Sequence, residues 1–146
     1  MRPDLHIELG GSAILRAFTT DDMETLYAAI DANGIWIGEQ LAGGCDLTIH
    51  EKDDTGELGF WLDEEFTGRG LATRAGQALL ARGFDGEGLH RIQLRAGVEN
   101  LRSRAVAKRL KMREEGVLRG AGKVGGGMYV DLVMYGLLVD DWRMTR

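Results

Sequence analysis

The sequence predicts an α+β fold in which a mostly antiparallel, mixed sheet is flanked by helices. Short stretches that alternate apolar and polar residues recur along the chain, and glycine-rich turns separate them, as in strands joined into hairpins. Other segments carry apolar residues at helical spacing. With 146 residues, 44% of them hydrophobic and 28% charged, the chain has the size and composition of a single globular domain over residues 1–146.

The first half of the chain is expected to hold two strands, a helix and three further strands. The opening strands are DLHIEL and SAILRAF, with the turn Gly10-Gly11 between them. TTDDMETLYAAIDA has helical periodicity with Thr20 or Asp21 as N-cap, and Asn33-Gly34 is expected to end this helix. The next strands are IWIGEQLAG and CDLTIHE, divided by Gly43-Gly44, and then ELGFWL after the turn KDDTG.

The second half is expected to alternate helices and strands before it ends in a hairpin. A helix from about Leu71 to Arg82 has a stripe of small and apolar residues that suits close packing on a sheet. RIQLRAGV alternates strictly and predicts a strand, after which Asn100 is expected to cap a helix that continues to Leu110. The last strands are EEGVLRGAGKV and MYVDLVMYGLLV, so the predicted order is β-β-α-β-β-β-α-β-α-β-β.

Charge and cysteine content narrow the classes of function. The formal net charge of −5 argues against a nucleic-acid partner, which usually meets a basic surface. Cys45 is the single cysteine, which rules out an internal disulfide and suits a reducing cytosol. The longest apolar run, Leu132 to Val139, is too short to span a membrane, and no signal peptide is recognised. We therefore expect a soluble cytoplasmic protein with no membrane partner and no metal.

The segment Thr67-Gly68-Arg69-Gly70 stands where a predicted strand passes into a predicted helix. The N-terminus of a helix has unpaired N–H groups and a partial positive charge, and glycines before it let a ligand come close to the backbone. Gly68 and Gly70, with the small residues Ala72 and Thr73, meet this need, and Arg69 adds a positive charge. A diphosphate is the ligand that such a loop suits best.

Other interpretations of this loop remain open from the residues alone. It can be a tight turn without a ligand. A dinucleotide fingerprint requires a glycine or alanine where Thr73 stands and a parallel βαβ unit, whereas the preceding strands look like hairpins. A nucleotide P-loop requires Gly-Lys followed by Ser or Thr, but Lys123 is followed by Val124. Both nucleotide interpretations fit poorly.

Three segments occur in order along the chain: ELGFWLDEEFTGRGLATRA, GLHRIQLRAGVENLRSRAVAKRL and EEGVLRGAGKVGGGMYVDLVMYGLL. Together they resemble the GNAT acetyltransferase superfamily, and within it the RimJ/RimL type, which acetylates N-terminal amines of ribosomal proteins. The similarity runs from about Glu57 to Trp142. The resemblance implies a GNAT fold with splayed strands at the cofactor site and acetyl-CoA as the cofactor. Thr67 stands where the family's loop usually has Gln or Arg.

The resemblance also implies a set of cofactor-binding residues. The strand before the loop offers backbone groups to pantetheine, and the loop and the start of the helix hold the diphosphate. By position the backbone groups are those of Phe60, Trp61 and Leu62, and the loop residues are Gly68, Arg69, Gly70, Leu71, Ala72 and Thr73.

Asn100 and Ser103 match an Asn-x-x-Ser pattern of RimJ/RimL-like proteins. The resemblance implies that Ser103 hydrogen-bonds or protonates the departing sulfur and that Asn100 helps to hold pantetheine. Asn100 can equally be a plain helix cap, and Ser103 a small residue where the helix nears the sheet. Glu57 is the candidate general base through water, or a surface glutamate at the start of a strand, because the position where some relatives have a carboxylate is Gly122.

The acceptor expected from the resemblance is a primary amine, at the N-terminus of a ribosomal or other protein or peptide. An α-amine has a pKa of about 7.7–8.0 and lysine about 10.4, so a site without a strong base favours α-amines. Tyr129 can line the acceptor side, and His90 and Asp131 are interpreted as structural. The chain is short between the first helix and the next strand, which leaves the acceptor groove open or requires a partner subunit, as in a homodimer. The alternatives are acetylation of a small-molecule amine and a non-catalytic CoA-binding module.

Overall fold

The computed structural model describes residues 5–17 and 33–145. The helix predicted for TTDDMETLYAAIDA lies outside the described residues. The described residues form β1 (His6–Gly10), β2 (Ala13–Ala17), β3 (Asn33–Ile37), β4 (Gln40–His50), β5 (Thr55–Leu62), α1 (Leu71–Ala81), β6 (Arg91–Gly97), α2 (Leu101–Arg109), β7 (Arg113–Val124), β8 (Met128–Leu138) and α3 (Val139–Met144).

The chain divides into two compact units, and it passes from one unit to the other within β4, within β5 and after Arg82. The first unit comprises residues up to Thr48 and Leu58–Arg82. Its strands follow in the order β1-β2-β3-β4-β5, and β1 to β4 pair with their neighbours antiparallel. Alternate residues of β2 are buried, as the alternating sequence predicted, and α1 packs against β1. The core of this unit includes Leu15, Ile35, Leu58 and Leu79.

The second unit comprises Ile49–Glu57 and Gly83 onwards. Its strand order is β5-β6-β8-β7, in which β8 pairs antiparallel with both β6 and β7. The buried face of β6 carries Ile92, Leu94 and Ala96, and α2 packs on β6. Its core is completed by residues of β8 and α2, namely Val133, Tyr135, Leu137, Val106 and Ala107.

β5 and β6 form a parallel pair, in contrast to the antiparallel pairs of the other described strands. Their register runs only from Thr55–Arg91 to Glu57–Gln93, although each strand continues beyond it. Strands that splay apart stop pairing early in this way. Backbone groups after the last pair then have no hydrogen-bond partner on the neighbouring strand. The predicted α+β class with a mostly antiparallel, mixed sheet is confirmed. The prediction of a single domain over residues 1–146 stays a prediction.

The turn predicted at Gly43-Gly44 was wrong. The chain reverses at Gly38, which has φ +60°, and the flanking residues Ile37 and Gln40 pair directly. Gly43 and Gly44 lie inside β4, where they allow Trp61 of β5 to approach. A two-residue hairpin turn needs a residue that tolerates positive φ, and the sequence has glycine both at position 38 and at positions 43 and 44.

Two element boundaries also differ from prediction. β3 begins at Asn33, two residues before the strand predicted from Ile35, and the predicted end of the preceding helix lies outside the described residues. β8 ends at Leu138, one residue before the predicted end of the strand, and α3 follows it over residues for which, beyond Val139, no element was predicted. The Asp141 carboxylate accepts a hydrogen bond from the Leu138 N–H at 3.2 Å, and Trp142 stacks on Phe84 with ring centroids 5.6 Å apart. A carboxylate in the first turn of a helix stabilises its N-terminus, and this was the signal for α3 in the sequence.

Within residues 5–17 and 33–145, no helix has the length and apolar character needed to cross a bilayer.

Replacing Gly43 with alanine tests the close approach of Trp61 to β4. A Cβ at position 43 would overlap the carbonyl oxygen of Trp61 and lie 2.8 Å from Cδ2 of Leu62. Because the backbone must move to relieve this overlap, we expect Gly43→Ala to lower the free energy of unfolding by about 1–3 kcal/mol in urea titrations.

Gly125→Ala is the matched control, since a Cβ at Gly125 meets no atom within 4 Å. We expect this variant to change the free energy of unfolding by about 0.5 kcal/mol or less. Equal effects at the two positions would contradict the close packing of β5 on β4.

Candidate functional site

Two glycines shape the connection between β5 and α1. Gly68 has φ +79° and Gly70 has φ +74°, a left-handed conformation that costs other residues energy. Phe66, which is buried, anchors the turn that precedes them. Gly70 is the N-cap of α1, so the second left-handed residue stands where the helix begins. At these two positions the backbone of the loop is therefore exposed without a side chain.

The amides at the start of α1 are left without backbone partners. The first hydrogen bond of the helix joins the Arg74 N–H to the Gly70 carbonyl at 3.0 Å. No described carbonyl accepts from the N–H groups of Leu71, Ala72 or Thr73. The Thr73 hydroxyl oxygen is buried and also has no partner among the described residues. A Cβ at Gly68 would meet no atom within 4 Å, so there is room beside the loop.

This arrangement fits a diphosphate. Unpaired N–H groups at a helix N-terminus bind phosphate oxygens, and the helix dipole favours negative charge there. The Thr73 hydroxyl, in the first turn of α1, is a further donor without a partner among the described residues. The sequence had singled out the loop residues for this purpose, and the structure brings them together in the first unit.

The side chains of Thr67 and Arg69 have local partners. The Thr67 hydroxyl donates to the Glu64 carbonyl at 2.8 Å, so it is used within its own turn. The Arg69 guanidinium lies over the ring of Phe66, 5.1 Å from its centroid, and donates to the Glu65 carbonyl at 3.4 Å. Arg69 thus keeps its positive charge on the surface of the loop without an ion-pair partner among the described residues.

Arg74 contacts the loop and was not considered in the sequence analysis. Its guanidinium donates to the carbonyls of Arg69 at 3.1 Å and Gly70 at 3.4 Å. The spacing of four residues from Gly70 was the signal in the sequence, because residues four apart lie on one face of a helix.

The end of β5 carries the three residues predicted to meet pantetheine through their backbone. Trp61 is 42% exposed, and Phe60 and Leu62 are half-buried, so none of them is a core residue. The register of β5 with β6 ends before all three. On the side of β4, the Trp61 ring lies close to Gly44, and the Asp63 N–H donates to the Ala42 carbonyl at 2.9 Å.

In the second unit, Asn100 and Ser103 form the N-terminal turn of α2. The Asn100 side-chain oxygen accepts from the Ser103 N–H at 3.2 Å, so Asn100 is a helix cap, one of its two expected roles. Ser103 is half-buried, and its hydroxyl has no hydrogen-bond partner among the described residues. The amide nitrogen of Asn100 and the hydroxyl of Ser103 are both left for other partners.

Glu57 lies at the end of the parallel pairing and is tied to β6. Its two carboxylate oxygens accept from Nε and Nη2 of Arg95 at 2.6 and 3.0 Å, and Gln93 adds a third bond at 3.3 Å. The side chain of Glu57 is 23% exposed. A carboxylate has about four lone-pair sites, so this arrangement leaves room for one further donor such as water.

Cys45 is buried in β4 with 1% of its surface exposed. Burial, and secondarily the charge of Asp46, raises the pKa of its thiol well above the ordinary value. The thiolate is the nucleophilic form of cysteine, so a buried and protonated Cys45 is not equipped for covalent catalysis.

Other residues singled out in the sequence lie in the second unit. Asp131 accepts from the Gly120 N–H at 2.8 Å, and the backbone of His90 bonds to Asp54 and Val139. Tyr129 is 70% exposed at the tip of the β7–β8 hairpin. A Cβ at Gly122 would lie 2.8 Å from Leu132, so a carboxylate side chain at this position would not fit without rearrangement.

Comparison with known proteins adds a family to this geometry. A family model described as "Acetyltransferase (GNAT) domain" matches residues 32–113. "Putative ribosomal N-acetyltransferase YdaF" of Bacillus subtilis (strain 168) is 38% identical over 126 residues, which cover 83% of this chain and 67% of that protein. "Ribosomal-protein-serine acetyltransferase" of Escherichia coli (strain K12) is 33% identical over 92 residues, 63% of this chain and 51% of that protein.

The chain therefore spans between about half and two thirds of the length of these curated relatives. Among solved structures, RimL, a ribosomal L7/L12 alpha-N-protein acetyltransferase in complex with coenzyme A, superimposes with a TM-score of 0.81. The match covers 94% of this chain and 99% of that chain at 21% identity, which confirms the fold.

Proposed function

The chain belongs to the GNAT acetyltransferase family, whose cofactor is acetyl-CoA, and we propose that it acetylates the N-terminal α-amine of a protein or peptide. The observation that carries the proposal is the row of unpaired amides at Leu71, Ala72 and Thr73 behind two left-handed glycines. The names of the relatives, which refer to ribosomal proteins, support a ribosomal protein as the acceptor.

The cofactor would be held by backbone groups more than by side chains. The amides of the loop from Gly68 and the Thr73 hydroxyl would bind the diphosphate, with Arg69 as a nearby positive charge. The backbone of Phe60, Trp61 and Leu62, beyond the β5–β6 register, would bind pantetheine. When bound, acetyl-CoA supplies an activated thioester, and holding it beside the amine raises the effective concentration of the reactants.

Ser103 and Asn100 are proposed to act at the thioester end. The Ser103 hydroxyl, which no described residue uses, would donate a hydrogen bond or a proton to the departing sulfur. Because the Asn100 side-chain oxygen is occupied by the helix cap, its amide nitrogen is the group that would bind pantetheine.

Glu57 is proposed to accept the amine's proton through a water molecule. Its carboxylate is fixed by Arg95 and Gln93, which leaves about one lone-pair site for water. Such a base suits an acceptor that is partly neutral at physiological pH. With a pKa of about 7.7–8.0, roughly a tenth of α-amines are uncharged near pH 7, far more than lysine side chains.

Transfer is proposed to be direct. The burial of Cys45 and its raised pKa leave it unsuited to carry the acetyl group. A non-catalytic CoA-binding module is the second candidate, because glycine stands at position 122, where some RimL-like enzymes have a carboxylate. Such a module would gain thermal stability from acetyl-CoA but release no thiol with any amine. Acetylation of a small-molecule amine is the third candidate.

The choice of acceptor can be tested with peptides. We expect thiol release with a peptide that has a free N-terminus and little with the same peptide N-terminally blocked and carrying a lysine. The rate on the α-amine should rise towards pH 8 and level off as that amine becomes neutral. Comparable rates on both peptides, independent of pH, would contradict the proposed acceptor, and faster release with small amines would favour the small-molecule function.

Ser103→Ala tests whether the Ser103 hydroxyl donates to the sulfur of the leaving CoA. Losing a hydrogen-bond or proton donor to the leaving group should lower kcat by about 100-fold. The dissociation constant of CoA, measured by calorimetry, should change by less than about threefold, because the diphosphate amides are in another element. Ser103→Thr, which keeps a hydroxyl, should retain more activity. An unchanged kcat in Ser103→Ala would remove Ser103 from the mechanism.

Glu57→Gln tests the proposed base, and Glu115→Gln provides a matched control. Glu115 also forms a bidentate ion pair with an arginine of β6, at 2.7 and 2.9 Å from Arg91. Both variants lose one ion pair of the second unit, but only Glu57→Gln should lower kcat, by about 10- to 100-fold, and flatten its rise with pH. Equal activities in the two variants would show that Glu57 only supports the strands.

A further inference from the structure

Among residues 5–17 and 33–145, the Arg74 side chain makes four hydrogen bonds, all of them to backbone carbonyls. Nη1 donates to Leu9 at 2.8 Å and to Gly10 at 3.0 Å, the last two residues of β1, where the β1–β2 turn begins. Nη2 donates to Arg69 at 3.1 Å, and Nε donates to Gly70 at 3.4 Å. No carboxylate among the described residues pairs with Arg74. Within the described part of the chain, one guanidinium therefore joins the glycine loop to the β1–β2 turn.

These bonds fix the direction in which two amides of the loop point. In a planar trans peptide the C=O and the N–H point in opposite directions. The carbonyls of Arg69 and Gly70 face the Arg74 guanidinium, so the N–H groups of the same two peptides, those of Gly70 and Leu71, point away from it. The other unpaired amides of the helix N-terminus lie on this same side, away from Arg74 and from the body of α1.

We propose that Arg74 is a positioning residue, which turns the Gly70 and Leu71 amides towards the diphosphate of the cofactor and braces them against the β1–β2 turn. The inference rests on the proposed binding of the diphosphate at this loop. It goes beyond that proposal because Arg74 binds the carbonyl ends of these two peptides, so it would act on the cofactor only through the backbone.

The β1–β2 turn is suited to be the fixed support. Gly10 and Gly11 have φ of +88° and +60°, and a Cβ at Gly10 would stand 3.5 Å from Nη1 of Arg74. Left-handed glycines allow the successive carbonyls of Leu9 and Gly10 to face one guanidinium. On the other side, α1 packs on β1, so the support and the helix belong to the same unit.

A lysine cannot replace this function. Its ammonium keeps the positive charge, but it has no planar fork with which to hold carbonyls of two segments at once. Arg74→Lys therefore removes the planar group that orients the loop but keeps the positive charge beside it. Arg82→Lys, at the C-terminal end of the same helix, is the matched control, since Arg82 makes no contact with the loop among the described hydrogen bonds.

The test compares acetyl-CoA with S-acetylpantetheine, which lacks the diphosphate. For Arg74→Lys we expect CoA to bind about 10- to 100-fold more weakly in calorimetry, as for the loss of aligned hydrogen bonds to a charged group. The kcat/KM for acetyl-CoA should fall by the same factor, while that for S-acetylpantetheine and kcat at saturating acetyl-CoA should stay within about twofold of wild type. Arg82→Lys should match wild type in every measurement.

Two results would overturn the proposal. One is unchanged CoA affinity in Arg74→Lys. The other is an equal loss of kcat/KM with acetyl-CoA and S-acetylpantetheine, which would show that Arg74 only stabilises the fold. A wild-type protein that binds no CoA would instead refute the proposed function, so the two failures are distinguishable.

Discussion

The cofactor site depends on how the backbone passes from β5 into α1. Two residues with positive φ, Gly68 and Gly70, bring the chain into the helix with its first amides unpaired. Unpaired donors cost free energy unless water or a ligand satisfies them, so the loop is suited to a phosphate group. The helix lacks these hydrogen bonds at its N-terminus, and an anion bound there would supply them.

The same region relies on close approach in the neighbouring strand. Gly43 and Gly44 of β4 lie under Trp61, whose carbonyl and ring occupy the space that side chains would need. β5 can therefore lie flat against β4 up to the residues whose backbone is proposed to meet pantetheine. Glycine serves two different purposes here: positive φ in the loop, and the absence of a Cβ in the strand.

Local patterns predicted most of the elements, whereas contacts between distant residues were not predictable. The alternation of RIQLRAGV and the cap at Asn100 identified β6 and α2 with their observed bounds to within a residue, because periodicity and capping are encoded locally. Gly43-Gly44 was mistaken for a turn because a glycine pair has the same appearance in a turn and beneath a packed tryptophan. The contact that distinguishes them is with Trp61, 18 residues away in the sequence.

The candidate site also combines residues that the sequence indicated with contacts that the sequence could not predict. The loop residues were found from their own composition, but the four carbonyls that surround Arg74 belong to two segments, and two of them lie 64 and 65 residues away. The ion pair of Glu57 with Arg95 likewise depends on the β5–β6 register. This register bears on the acceptor: with three N–H donors already bound, the Glu57 carboxylate keeps about one lone-pair site for the water that is proposed to relay the proton. A site built in this way depends on the acceptor's own tendency to lose a proton, which favours an α-amine over a lysine side chain.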